Sequence, residues 1–134
     1  MKIGNGGSIS FRRGEIGPVE DGGLGLWALV VLVEDEGLSA ETSIWLGPHG
    51  VEVSLADYFA DLARDWRGWR GAKQWEGIEG GLKLCCTHDG LGHVSVGVSL
   101  NHLSGAGWET LVDVPVDAGQ LDVVASGMRE LLTL

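Results

Sequence analysis

Residues 38–46 divide into two faces that alternate along the chain. Leu38, Ala40, Thr42, Ile44 and Leu46 share one side, with Ser39, Glu41 and Ser43 on the other. A period of two is that of a strand with one buried face. Residues 26–33, Leu-Trp-Ala-Leu-Val-Val-Leu-Val, are apolar on both sides, as in a central strand covered on two faces. The short turn over residues 34–37 makes these two strands a hairpin. Upstream, Ile9 and Phe11 alternate with polar residues and predict a strand over 8–13. Residues 14–25 hold several glycines, Pro18 and acids and read as a loop, while residues 1–7 read as a frayed end.

The period changes at residue 54. Leu55, Phe59, Leu62 and Trp66 follow i, i+4, i+7 and i+11, the stripe of an amphipathic helix ending near residues 66–68. Ser54 suits the N-cap, with Asp57 placed to reach back to the first turn. Residues 47–50, Gly-Pro-His-Gly, break the chain before it. Strand signals return at 74–78 and 82–87. They continue as Val94, Val96, Val98 and Leu100, then as Thr110, Val112, Val114 and Val116, with turns at 88–92 and 104–107. Asp117 with Gln120 has the spacing of a capping box. It opens a helix whose inward stripe is Leu121, Val124, Ala125, Met128, Leu131 and Leu132. Gly127 weakens that helix by about 1 kcal/mol relative to Ala. The expected order is β-β-β-α-β-β-β-β-α. Short turns favour antiparallel pairing, so we expect an α+β domain: a single antiparallel sheet of about six to seven strands, with two amphipathic helices packed on one face. A chain of 134 residues fits one domain, 1–134.

Charge narrows the partners. Nine basic against nineteen acidic residues give a formal net charge of −10. Phosphate contact needs clustered Lys and Arg, so no nucleic-acid partner is expected, and an anionic membrane surface repels such a chain. A basic protein partner is attracted, although the same charge also serves solubility alone. The two cysteines, Cys85 and Cys86, are adjacent and point to opposite sides of a strand, which is poor geometry for a disulfide. Unpaired thiols fit a reducing compartment. The first twenty residues hold no apolar run of signal-peptide length, and 26–33 is too short for a membrane span. A cytoplasmic protein is expected.

Three groups of residues invite a chemical reading. His88, Asp89 and His93 lie within six residues, but Asp89, Gly90 and Gly92 are also what a tight hairpin requires. These five are assigned to a structural turn, with His93 hydrogen-bonding the turn backbone, and no metal site is assigned. His49 and His102 are isolated. Trp66, Arg67, Trp69, Arg70 and Trp75 concentrate the residue types that dominate binding hot spots, although packing at a helix–sheet junction also accounts for them. Trp66 continues the helix stripe and is expected in the core. Asp57, Asp61 and Asp65 recur at i, i+4 and i+8 on one helix face. Like charges at that spacing repel slightly, which leaves a solvated face or an acidic docking surface as alternatives. Partner binding is therefore assigned to Asp57, Asp61, Asp65, Arg67, Trp69, Arg70 and Trp75. Neither cysteine has an evident activating neighbour beyond Lys83, and the chain carries no phosphate loop, dinucleotide fingerprint or nucleophile elbow. No catalytic residue and no cofactor is assigned.

Glu79-Gly80-Gly81-Leu82-Lys83-Leu84, followed by Asp89-Gly90-Leu91-Gly92-His93-Val94-Ser95-Val96, resembles the E-G-x-L-x-L … D-G-x-G-H-[IV]-x-V core of the WapI-family immunity proteins of bacterial polymorphic-toxin systems. The stretch from Asp65-Trp66-Arg67-Gly68-Trp69 to His93 is more similar still to a group of small acidic actinobacterial proteins of unknown function. The sequence departs from the WapI pattern at Gly105-Ala106-Gly107-Trp108, where that family has a G-N pair. It departs again at Asp117-Ala118-Gly119-Gln120, where that family has D-Q-T. The resemblance implies a non-enzymatic, immunity-type protein, monomeric or weakly dimeric, that neutralises a basic toxin domain, and it brings no catalytic residues. The alternative is a small-molecule- or metal-binding domain or enzyme using a sheet–helix cleft with His88, Asp89 and His93 near its mouth.

Overall fold

A computed structural model describes residues 1–4, 6–47, 51–102 and 107–134, without the side chains of 51–53. His49 and parts of the expected turns, residues 48–50 and 104–106, lie outside the described residues. The chain forms β1 (Lys2–Ile3), β2 (Ser8–Arg13), β3 (Ile16–Pro18), β4 (Leu24–Leu26), β5 (Ala28–Asp35), β6 (Leu38–Trp45) and helix α1 (Val51–Arg64). Then come β7 (Ala72–Glu76), β8 (Leu82–His88), β9 (His93–Asn101), β10 (Glu109–Asp117), a single 3-10 turn (Ala118–Gln120) and helix α2 (Leu121–Leu132).

The class is α+β with antiparallel pairing, but the expected single sheet is three. One sheet has the order β1-β2-β5-β6, a second has the order β10-β9-β8-β7, and β3-β4 is a separate ribbon. The reason is local. α1 interrupts the chain between β6 and β7, so each set of strands joined by short connections closes its ladder within itself. The sheets share a core rather than hydrogen bonds. Phe11, Leu29 and Val31 of the first meet Leu84, Val96 and Val114 of the second in one cluster with Leu55, Phe59 and Leu62 of α1 and Leu121 and Met128 of α2. The Phe11 and Phe59 rings meet edge to face at 6.4 Å.

Four local expectations change. Residues 16–26, read as loop and strand start, contain the ribbon, with Ile16 opposite Leu26 and Pro18 opposite Leu24. Trp27 ends the ribbon because its backbone turns to other partners, its N–H donating to Glu15 O at 2.7 Å and its carbonyl accepting from Leu46 N at 2.7 Å. The N-terminal end is tied down. Lys2 and Ile3 pair with Ser10 and Ile9, and the Met1 ammonium donates to Phe11 O at 2.8 Å. Gly127 makes room for this end, since a Cβ there would stand 2.9 Å from Met1 Sδ. Ser54 lies inside α1, whose first residue is Val51, so it is no N-cap. Asp117 makes no side-chain capping bond and precedes the 3-10 turn.

The inward stripe of α2 forms as read, with Leu121, Ala125, Met128 and Leu132 buried. Its last carbonyls are not left to water alone. The Arg13 guanidinium donates to the carbonyls of Glu130, Leu131 and Thr133 at 3.0, 2.8 and 2.8 Å, which ties β2 to the helix C-terminus.

Candidate functional site

The acidic row on α1 does not stand free. Lys73, on β7, reaches back to the helix and donates to Asp61 Oδ2 at 2.8 Å and to the Asp65 carboxylate. Arg64 closes on Asp61 from the same helix. The hydrogen bond from Lys73 holds the Asp61 carboxyl below the usual aspartate range. Burial works against the Lys73 charge, yet the bonds to Asp61 and Asp65 raise the ammonium above its ordinary value. Two of the three acids thus clamp the helix to the second sheet, and Asp57 alone of the row is exposed.

The aromatic group divides in the same way. Trp75 is 8% exposed and donates to Ser54 Oγ at 3.3 Å, so it packs in the core. Trp69 is half-buried. Its indole donates to Cys86 O at 3.2 Å, and the Lys73 ammonium stands 5.2 Å from its ring centre. Trp66, expected in the core, is 47% exposed because α1 ends at Arg64 and the chain turns away. The Arg67 guanidinium covers its ring at 5.3 Å, and Arg70 is exposed.

The hairpin between β8 and β9 is held by its own side chains. Asp89 Oδ1 accepts from the N–H of Leu91 at 2.6 Å and of His93 at 3.1 Å, while Oδ2 meets His93 Nδ1 at 2.7 Å. These bonds, the one from Leu91 foremost, pull the Asp89 carboxyl down to about 2. His93 bonds the turn backbone as expected, its carbonyl accepting from Asp89 N at 3.0 Å, while its ring meets the Asp89 side chain. His88 Nδ1 accepts from Gly90 N at 2.8 Å, which leaves Nε2–H to donate to Trp66 O at 2.8 Å. Gly90 and Gly92 sit at φ of 78° and 92°, the left-handed region that excludes most side chains. Among the described residues no group of three His, Cys, Asp or Glu is placed to hold a metal ion.

What the second sheet leaves open is a groove of about 530 Å³ on its outward face. The register builds it in rows. Gln74, Cys85, Gly97 and Asp113 are lateral neighbours across four strands, and Glu76, Lys83, Ser99 and Leu111 form the next row. Gly97 is the low point, since a Cβ there would stand 3.0 Å from Cys85 O and 3.5 Å from Asp113 Oδ1. Leu111 is 78% exposed at the wall. Lys83 and Glu76 face each other at 3.9 Å, and Ser99 Oγ donates to Glu109 at 3.2 Å. Among the described residues no cation lies within ion-pair distance of Asp113.

The profile of DUF6228, described as a family of unknown function, matches residues 18–134. The chain belongs to that family. No curated protein matches it. In this DUF6228 member the matched span takes in α1, α2 and the whole second sheet, and so both the clamped acids and the groove.

Cys85 and Cys86 carry free thiols on opposite faces. Cys85 opens into the groove, whereas burial pushes the Cys86 thiol up to about 11. Below it Tyr58 donates to Lys73 O at 2.8 Å, and burial raises its phenol well above the ordinary tyrosine value. A second hollow, of about 580 Å³, lies where β1, β10 and α2 meet and includes His93, Asp117 and Gln120. Among the described residues no helix is long and apolar enough to cross a membrane. The sequence reading missed Lys73, Gly97, Leu111 and Asp113. The available signal was Ser95-Gly97-Ser99, a run of small residues at the outward positions of a strand whose inward positions are large.

Proposed function

We propose that this DUF6228 member is a non-enzymatic protein-binding domain, of immunity type, that neutralises a basic toxin domain by occluding it. The observation that carries the reading is the groove on the second sheet, where an uncompensated Asp113 stands beside the exposed Leu111. A carboxylate without a cation, next to an apolar wall and a small-residue floor, favours a partner that brings positive charge and apolar surface together. The net charge of −10 would speed the encounter. The resemblance of residues 79–96 to the WapI-family immunity proteins supports the same class. The landing surface moves from the α1 acids to the sheet. The domain would act in the cytoplasm, where Cys85 stays reduced, as a monomer or weak homodimer without a cofactor, nucleic acid or membrane.

The groove volume of about 530 Å³ also falls in the range of small-molecule sites, which makes a small-ligand binder the second reading. Capture of the tagged protein from native lysate at low salt separates the two. A stoichiometric basic protein, lost at high salt and inhibited in its own activity by the added domain, is the expected result. A bait that returns no protein but retains a small molecule through purification sinks the immunity reading.

A further inference from the structure

On the premise that this face binds a protein, we infer that the depression over Gly97 receives one arginine side chain of the partner, its guanidinium seated on the Asp113 carboxylate. The register sets Cys85, Gly97 and Asp113 side by side, so the missing side chain at Gly97 leaves a notch flanked by a carboxylate. A residue with a Cβ at this position would fill the notch, pressing Cys85 O at 3.0 Å and touching Asp113 Oδ1 at 3.5 Å. Asp113 has no cation of its own among the described residues, whereas Asp61 and Asp65 already share Lys73 and Glu76 faces Lys83. Leu111 beside it offers apolar surface to the alkyl stem. Arginine fits better than lysine because its fork matches both oxygens of one carboxylate, while an ammonium is a point charge that keeps its water.

The test titrates the 15N-labelled full chain with acetyl-Leu-Arg-Leu-amide and with the same peptide carrying neutral, near-isosteric citrulline. The expected result is saturable shifts centred on the Gly97, Ser99 and Asp113 amides, with at least tenfold weaker binding of the citrulline peptide. Asp113→Asn should bring the arginine peptide to the citrulline level. Gly97→Val should abolish the shifts, but its Cβ crowds Cys85 O at 3.0 Å, so the exposed Asp113→Asn is the decisive variant. Equal affinity of the two peptides, shifts centred elsewhere, or an unchanged Asp113→Asn variant overturns the inference. So does a groove perturbed by raising the protein concentration alone, which assigns it to a second copy of the chain. If the peptide fails while the wild-type protein still captures a basic partner, the binding function stands and only the arginine subsite falls. If nothing is captured, the binding function falls on its own evidence.

Discussion

The Lys73 ammonium lies 2.8 Å from Asp61 Oδ2 and also holds Asp65, so one cation from an edge strand gathers two carboxylates of α1. This contact converts a row of like charges into a join between helix and sheet. Lys73→Met should therefore lower stability by about 1 kcal/mol, the order expected for partly screened surface pairs plus the repulsion left between the two acids. Urea unfolding at low and high salt checks it. The deficit should shrink with salt, and Asp57→Ala on the same helix should change stability by far less.

Acid titration follows from the same groups and from the hairpin. Asp61 and Asp89 both have carboxyls depressed in the folded chain, Asp89 to about 2. A depressed carboxyl stabilises fully above its ordinary value and loses that contribution as pH falls through the folded one. Stability should stay level down to about pH 5 and fall between about pH 4 and 2. Asp89→Asn should flatten part of that fall, as read from unfolding curves across the acidic range.

The alkaline limb has its own reporter, because Tyr58 is the sole tyrosine of the chain. Its phenol is raised by burial, so the neutral form belongs to the folded state. The stability this confers is complete below the ordinary tyrosine value and is lost as pH rises beyond it. Tyrosinate absorbance should not appear near pH 10, the ordinary value, but only in one step with unfolding. A simple titration near pH 10 in the folded protein contradicts the placement of Tyr58. Tyr58→Phe should cost about 1 kcal/mol, because it strips the bond to Lys73 O.

Thiol labelling distinguishes the two faces of β8. Cys85 is exposed in the groove and Cys86 is buried, its thiol raised to about 11. Ellman's reagent should react with one thiol in the native protein and with two in denaturant. Cys85→Ser should leave the native protein silent, and two fast thiols without denaturant contradict the register of β8 against β9.

Much of this fold is legible in the residues. Alternation gives β6, β9 and β10, the 3.6-residue stripes give both helices, and Asp89-Gly90 gives the β8–β9 hairpin with its pairing of His88 to Val94. What alternation does not carry is partnership between distant strands, so it could not separate two sheets that share a core but no hydrogen bonds. It also fixes no helix boundary: Ser54 has the right chemistry for a cap, but α1 begins at Val51 and takes Ser54 as a partner for Trp75 instead. The site was harder to read. Acids on a helix are visible in a sequence, but Lys73 eight residues beyond Asp65 is not visibly their counter-ion until β7 packs beside α1. The groove depends on Gly97 and Asp113 being lateral neighbours, and that is a fact of register.

The central claim is that a basic partner lands on the second sheet rather than on α1. The most direct measurement is low-salt capture from native lysate with three baits: the unaltered chain, Asp113→Lys on the groove and Asp57→Lys on the helix. The account predicts one stoichiometric basic partner on the unaltered and Asp57→Lys baits, released by salt, and its loss from Asp113→Lys. A partner that stays on Asp113→Lys and leaves Asp57→Lys would contradict it and return the interface to the helix.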